Sequence, residues 1–285
     1  MKRILIPTDF SEASYNALEY AVQLFINEPC TFYVLNTYTP VALYTTTIYD
    51  SHTVLNMDLG EIYKKASLEN LNKIILRVTD AYPNSKHTFT AISSYNVLTL
   101  ELNEIVATSE IDAIIMGTSG ASGLKEVFVG SQTMQVVKDA KVPVIGVPDT
   151  YRFRALKDVL FTTDYRTGTN QVGLSLLEGL CRKHISRLIF LNAYYGIELD
   201  HEQLENKALL DEYFERDAHL NEVADGMDVL EAVADFQSKH NIDLLVLVHN
   251  KHSFFENLLF TPVVRNIVHH ASVPFMILPP FKTTL

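Results

Sequence analysis

Cysteine is scarce in this 285-residue chain: Cys30 and Cys181 stand far apart and form no CxxC pair. Both read as reduced thiols of a cytoplasmic protein, and Cys30 reads as a packed thiol rather than a nucleophile. Basic runs are missing too. Lys and Arg number 23 against 34 Asp and Glu, for a formal net charge of -11. That balance argues against a nucleic-acid or anionic-membrane surface. Any anionic ligand must then be held by local dipoles and backbone N–H groups. No apolar run reaches the length of a membrane span. The start "MKRILIPTDF" meets Pro7 and Asp9 too soon for a signal segment and reads as a first strand. Familiar catalytic signatures are absent. There is no HExxH, GxGxxG or GxxxxGK[ST], and Gly117, Ser119 and Ala121 miss GxSxG by one glycine. No pattern picks out an acid/base pair, so no catalytic residue is assigned.

What is present is an ordinary globular composition, 47% hydrophobic and 20% charged, with a length that suggests two domains. "RILIPTD" is a short β-rich run. "SEASYNALEYAVQLF" then places Ala13, Ala17, Leu18, Ala21, Val22 and Phe25 at helical spacing, with Ser11 as N-cap and Glu12 in the first turn. Strands follow at "CTFYVLNTY", "HTFTAIS", "IDAIIMG" and "VPVIGVP". Helices separate them, including a long one from Asp58. The second half repeats this order. Asp164 stands where Asp9 stood, Asn192 matches Asn36, "IDLLVLVHN" echoes "IDAIIMGTS", and "ASVPFMILPP" echoes "AKVPVIGVP". The expectation is α/β: two tandem doubly wound, parallel, five-stranded sheets, in domains 1–150 and 151–285 joined near 149–157.

The stretch "GTSGASGLKEVFVGS", Gly117 to Ser131, holds four glycines directly behind a buried strand. In a doubly wound sheet a ligand sits beyond the C-terminal strand ends, where the strand order switches. Pro7-Thr8-Asp9, Asn36-Thr37 and Met116-Gly117 all end there. Gly117 and Gly120 would let phosphates approach main-chain N–H groups. Gly130 would open a helix with Ser131, Gln132 and Thr133 in its first turn, where unpaired N–H donors suit phosphate. Plainer roles account for the same residues: Asp9 as a capping carboxylate, Ser131 as an N-cap, Lys125 on a solvated loop.

Gly117-x-x-Gly120, nine residues, then Gly130-Ser131, together with "PTDFSE" and the terminal "VPV", resembles the universal stress protein family in its tandem form. The resemblance implies a Rossmann-like, adenine-nucleotide alpha-hydrolase-like fold whose two repeats pair within the chain as an intramolecular pseudo-dimer. It implies ATP as ligand, with ADP or AMP as alternatives, with or without Mg2+. Pro7, Thr8, Asp9, Thr37, Met116, Gly117, Gly120, Gly130, Ser131, Gln132 and Thr133 would line that site. Asp9 would hold a ribose hydroxyl or a metal-bound water, and the backbone at Thr37 would read the adenine edge. Counted from His249, the second repeat reads His249-x-x-His252, nine residues, Pro262-Val263, so scaffold without nucleotide is expected there. Those histidines, with His240, His269 and His270, show no third ligand at metal-site spacing. The expectation is a cytoplasmic ATP-binding regulator, at most a slow ATPase, with an unknown protein partner and room for a homodimer. A non-nucleotide interaction scaffold is the alternative. The Tyr- and Thr-rich segment 37–56 is either a lid, a docking surface or a plain insertion. Val142–Val147 and Val273–Leu278, flanked by prolines, are expected to pair with each other.

Overall fold

The structure is a computed structural model and describes residues 1–39, 52–118, 131–194, 198–248 and 273–279. In the first repeat the strands are β1 (Lys2–Pro7), β2 (Cys30–Thr37), β3 (His87–Ser94), β4 (Ala113–Gly117) and β5 (Val144–Val147). They alternate with α1 (Glu12–Leu24), α2 (His52–Ala81), α3 (Leu98–Thr108) and α4 (Ser131–Asp139). The second repeat holds β6 (Asp158–Thr162), α5 (Leu174–His184), β7 (Arg187–Tyr194), α6 (His201–Tyr213), β8 (His219–Asp225), α7 (Val229–Lys239), β9 (Leu244–Val248) and β10 (Phe275–Leu278).

Among the described residues, ten strands form one sheet in the order β3-β2-β1-β4-β5-β10-β9-β6-β7-β8. Each repeat is parallel within itself, and the order of each switches direction beside its first strand. The two halves meet antiparallel, Gly146 against Phe275 and Val144 against Ile277. The anticipated pairing of the two last strands is therefore present. Central strands buried on both faces read as near-continuous apolar runs. Ile4, Leu5 and Ile6 of β1 and Val159, Leu160 and Phe161 of β6 are all buried. α1 forms as its spacing dictates. Ser11 caps it by accepting from the Ser14 N–H at 3.2 Å, and Ala17, Leu18, Ala21 and Val22 face the core.

Two elements differ from the sequence expectation. α2 begins at His52 rather than Asp58, although residues 52 to 57 carry no helical apolar period. β8 was not singled out because "HLNEVAD" places Glu222 and Asp225 on a strand. It is the outermost strand of its half, where charge deters further pairing. Segment 40–51 lies outside the described residues. Among the described residues, no helix is long and apolar enough to cross a membrane.

Candidate functional site

The strand ends after β1, β2 and β4 are tied together by a small hydrogen-bond frame. Past the end of β1 at Pro7, the Thr8 N–H donates to the Leu35 carbonyl at 2.8 Å, and the Asn36 amide donates to the Thr8 carbonyl at 2.8 Å. Ser67 of α2 donates to the Asn36 side-chain carbonyl at 2.8 Å, and Ser93 of β3 donates to Ser67 at 2.8 Å. The Thr8 hydroxyl is 2.9 Å from that of Ser14 and accepts from the Phe10 N–H at 3.0 Å. Phe10 takes a left-handed φ of 63°, a conformation bulky residues rarely hold. The two local bonds at Thr8 and Asp9 hold it there.

Asp9 is exposed, and its Oδ1 accepts from the Ser11 N–H at 3.1 Å and the Ser11 hydroxyl at 2.5 Å. It thus organises the turn into α1. Thr37 ends β2 beside Ser94 and is half-buried. Met116 is buried in β4, so only its backbone faces the strand-end site. Ser131 opens α4 and Gln132 is exposed in its first turn. Thr133 is 3% exposed and spends its only proton on the Gly117 carbonyl at 3.2 Å, which ties α4 to β4. Gly120, Gly130 and Lys125 lie outside the described residues.

Gly117 is glycine for a reason the motif did not reveal. A Cβ there would lie 2.8 Å from the Ala13 carbonyl oxygen and 3.3 Å from the Ser14 nitrogen. The first turn of α1 rests its backbone directly on the end of β4, so the missing side chain makes room for protein.

The second repeat reproduces four bonds of this frame. Asn192 donates to the Thr163 carbonyl at 2.9 Å, and Thr163 N–H donates to Leu191 at 3.0 Å. The Tyr165 N–H donates to the Thr163 hydroxyl at 2.9 Å, and Asp164 accepts from the Arg166 N–H at 3.0 Å. Tyr165 repeats the left-handed φ, at 56°. Behind β5 and β10, Asn16 donates to Pro148 at 3.0 Å and Gln171 to Pro279 at 2.6 Å. Asp112 accepts from Arg3 N–H, and Asp243 from Lys157 and Asp158 N–H.

That correspondence corrects the motif alignment. With Asp112 matched to Asp243, the last residue of β4, Gly117, stands opposite Val248, the last of β9, and not opposite His249. Carried forward in sequence, Gly120 falls on Lys251, Gly130 on Thr261 and Ser131 on Pro262. The glycines are lost in this register as well. Residues His249, His252, Pro262 and Val263 lie outside the described residues, as do His269 and His270. Val248 carries the side chain that Gly117 lacks, and the helix start has moved with it. α1 starts three residues after Asp9, whereas α5 starts ten residues after Asp164, behind Gly173 at φ 91°. The freed segment is held by α6. Gln203 donates to the Asp164 carbonyl at 2.6 Å and Asn206 to the Tyr165 carbonyl at 3.0 Å. A Cβ on Gly168 would lie 2.6 Å from the Asn206 side-chain oxygen.

A profile described as the universal stress protein family matches residues 1–148 and 190–279. The chain belongs to the universal stress protein family. Two universal stress proteins of Methanocaldococcus jannaschii are each 28% identical to it. One aligns over 149 residues, 51% of this chain and 81% of the relative. The other aligns over 163 residues, 51% of this chain and 94% of the relative. Each relative thus spans about half of this tandem universal stress protein. The crystal structure of a universal stress protein from Archaeoglobus fulgidus shares its whole fold, with a TM-score of 0.64 at 18% identity over 98% of this chain and 97% of the other. The stretch the family profile passes over, 149–189, contains the linker and the rebuilt entry to α5.

Neither thiol has the character of a nucleophile. Cys30 and Cys181 are both free and buried. Burial pushes both pKa values up, that of Cys181 to about 12. Among the described residues, no three His, Cys, Asp or Glu side chains gather into a metal site. The frame around Thr8, Asn36 and Ser67 was only half visible in sequence. Asn36 and Asn192 align, but Ser14 and Ser67 are single polar residues in helices and carry no pattern.

Proposed function

We propose that the first repeat binds an adenine nucleotide, ATP by preference over ADP or AMP, as a cytoplasmic regulatory protein rather than an enzyme. The supporting observation is the asymmetry between two otherwise matching strand-end frames. In the first repeat, Asp9 follows the C-terminal end of β1, Thr37 ends β2, and α4 is tied to the end of β4, where the strand order switches. In the second, α6 side chains bond the equivalent carbonyls and a valine replaces the glycine that seats the helix. The residue types fit such a ligand: the N–H groups of the first turn of α4 are donors of the kind that hold phosphate, and Asp9 would accept from a ribose hydroxyl or a water of bound Mg2+. Gly120 and Gly130 complete the motif on sequence grounds. The second repeat, 151–285, acts as the fixed structural partner, and a protein partner reads the nucleotide state.

The test is the nucleotide content of freshly purified protein, followed by ATP titration in a thermal melt. Bound ATP, lost in Gly130→Val and retained in Asp164→Ala, is the expected result. Saturating ligand at 100 times its Kd would add about 2.7 kcal/mol of apparent stability. An empty protein whose melting ignores ATP would sink the proposal and leave the interaction-scaffold reading in its place. Bound ADP in place of ATP would point to hydrolysis.

A further inference from the structure

A second concave surface lies away from both strand-end frames, between the linker and the second repeat. It is an open cleft of about 670 Å³, bordered by linker residues 150–152 and 154, the last turns of α7 and the residues entering β9 and β10. That volume falls within the roughly 300–1,000 Å³ of small-molecule sites. Its charge runs against that of the chain. With a net charge of -11 overall, the described residues bordering the cleft include Arg152 and Arg154 and no carboxylate.

The two guanidinium groups are held in place from behind. Arg154 donates through Nε to Asp243 at 2.6 Å and through Nη2 to the Ile242 carbonyl at 3.1 Å. Asp243 has a side chain only 9% exposed and also accepts from the Lys157 and Asp158 N–H groups. It therefore neutralises Arg154 while fixing its fork. Arg152 makes all its hydrogen bonds through Nη1, to Asn16 Oδ1 at 2.9 Å and to the Asp149 and Tyr151 carbonyls. Among the described residues, Nε and Nη2 of Arg152 remain as donors. Tyr151 is 7% exposed, and the Arg154 guanidinium lies over its ring at 5.7 Å from the centroid. Gln237 and Asn241 add neutral amides at the rim. Planar, pre-anchored guanidinium forks suit carboxylate and phosphate, because little side-chain freedom is lost when the anion arrives.

We propose that this cleft binds a small organic anion bearing carboxylate or phosphate groups, through Arg152 and Arg154. The site is independent of the nucleotide reading. It is not isolated from the strand-end site, however, since Arg152 holds Asn16 of α1, and the first turn of α1 rests on Gly117.

Calorimetric titration of the full chain at low ionic strength, with citrate and separately with inorganic phosphate, tests this. One-to-one saturable binding of at least one probe is expected, and the stronger probe names the anion class. Gln237→Glu places a carboxylate at the rim without deleting a bond and should weaken binding by about tenfold or more. Arg152→Ala should do the same; if circular dichroism shows that variant unfolded, Gln237→Glu decides. No saturable heat with either probe at millimolar concentration overturns the proposal. So does binding that ignores Gln237→Glu.

Discussion

Replacing Gly117 by alanine separates a packing role from a ligand role. The new Cβ would lie 2.8 Å from the Ala13 oxygen, 3.0 Å from the Ala13 carbonyl carbon and 3.3 Å from the Ser14 nitrogen. All three are backbone atoms in the first turn of α1, so no rotamer change relieves the contact. α1 must move off β4 by some tenths of an ångström, against a face that buries Ala17, Leu18, Ala21 and Val22. Overpacking of this kind costs about 1–3 kcal/mol. For a chain of this size that corresponds to a Tm lowered by roughly 2–12 °C. Differential scanning calorimetry without nucleotide reads the shift directly. The shift should also survive in the presence of saturating ATP. A nucleotide-free Gly117→Ala protein melting within a degree of the parent would refute the seating of α1 on β4. The glycine would then have to be explained by the ligand alone.

Three further outcomes follow from the same coordinates. A Cβ on Gly146 would meet the Phe275 ring at 2.3 Å, and Phe275 is 4% exposed, so Gly146→Ala should destabilise by about 1–3 kcal/mol and broaden the melt into two steps as the repeats uncouple; a single sharp transition at the parent Tm would count against it. Gly179 sits inside α5 with nothing near its Cβ position, so Gly179→Ala should raise stability by about 0.5–1 kcal/mol in urea unfolding, and a loss would contradict the open space there. The ring of His87 lies edge-on to Phe32, its Nε2 donates to the Phe25 carbonyl at 3.0 Å, and its buried Nδ1 has no partner. Burial holds its pKa below the ordinary 6.5, so the unfolded chain takes up a proton that the folded one resists. The stability it contributes is present above pH 6.5 and is lost as pH falls below that value. Urea midpoints at pH 7 and pH 5 should therefore differ more in the parent than in His87→Gln, and equal differences would exclude this role.

Sequence periodicity was enough for the architecture, because burial on both sheet faces writes itself as apolar runs such as "ILI" and "LLVLV". The repeat was equally visible, and the paired Asn36 and Asn192 proved to make the same bond. β8 was harder to see because an outer strand tolerates charge, and the early start of α2 because its first turn has no apolar stripe. Counted from His249, the motif spacing stands one residue out of step with the strands, because β4 ends at Gly117 and β9 at Val248. The register is set by Asp112 and Asp243 locking neighbouring strands. The role of Gly117 depended on the approach of a distant turn, which no local pattern records.

The seam between β5 and β10 also shapes how the chain emerges during synthesis. β5 is complete long before β10, the last strand of the sheet, is made. At translation rates of about 5–20 residues per second, the first repeat waits roughly 6–25 s with the open edge of β5 exposed. An uncovered, wholly buried-type edge invites pairing with the same edge of a neighbouring nascent chain on the polysome. Arrival of the second repeat closes that edge from within, so the tandem arrangement makes the correct partner local and always present at one copy per chain.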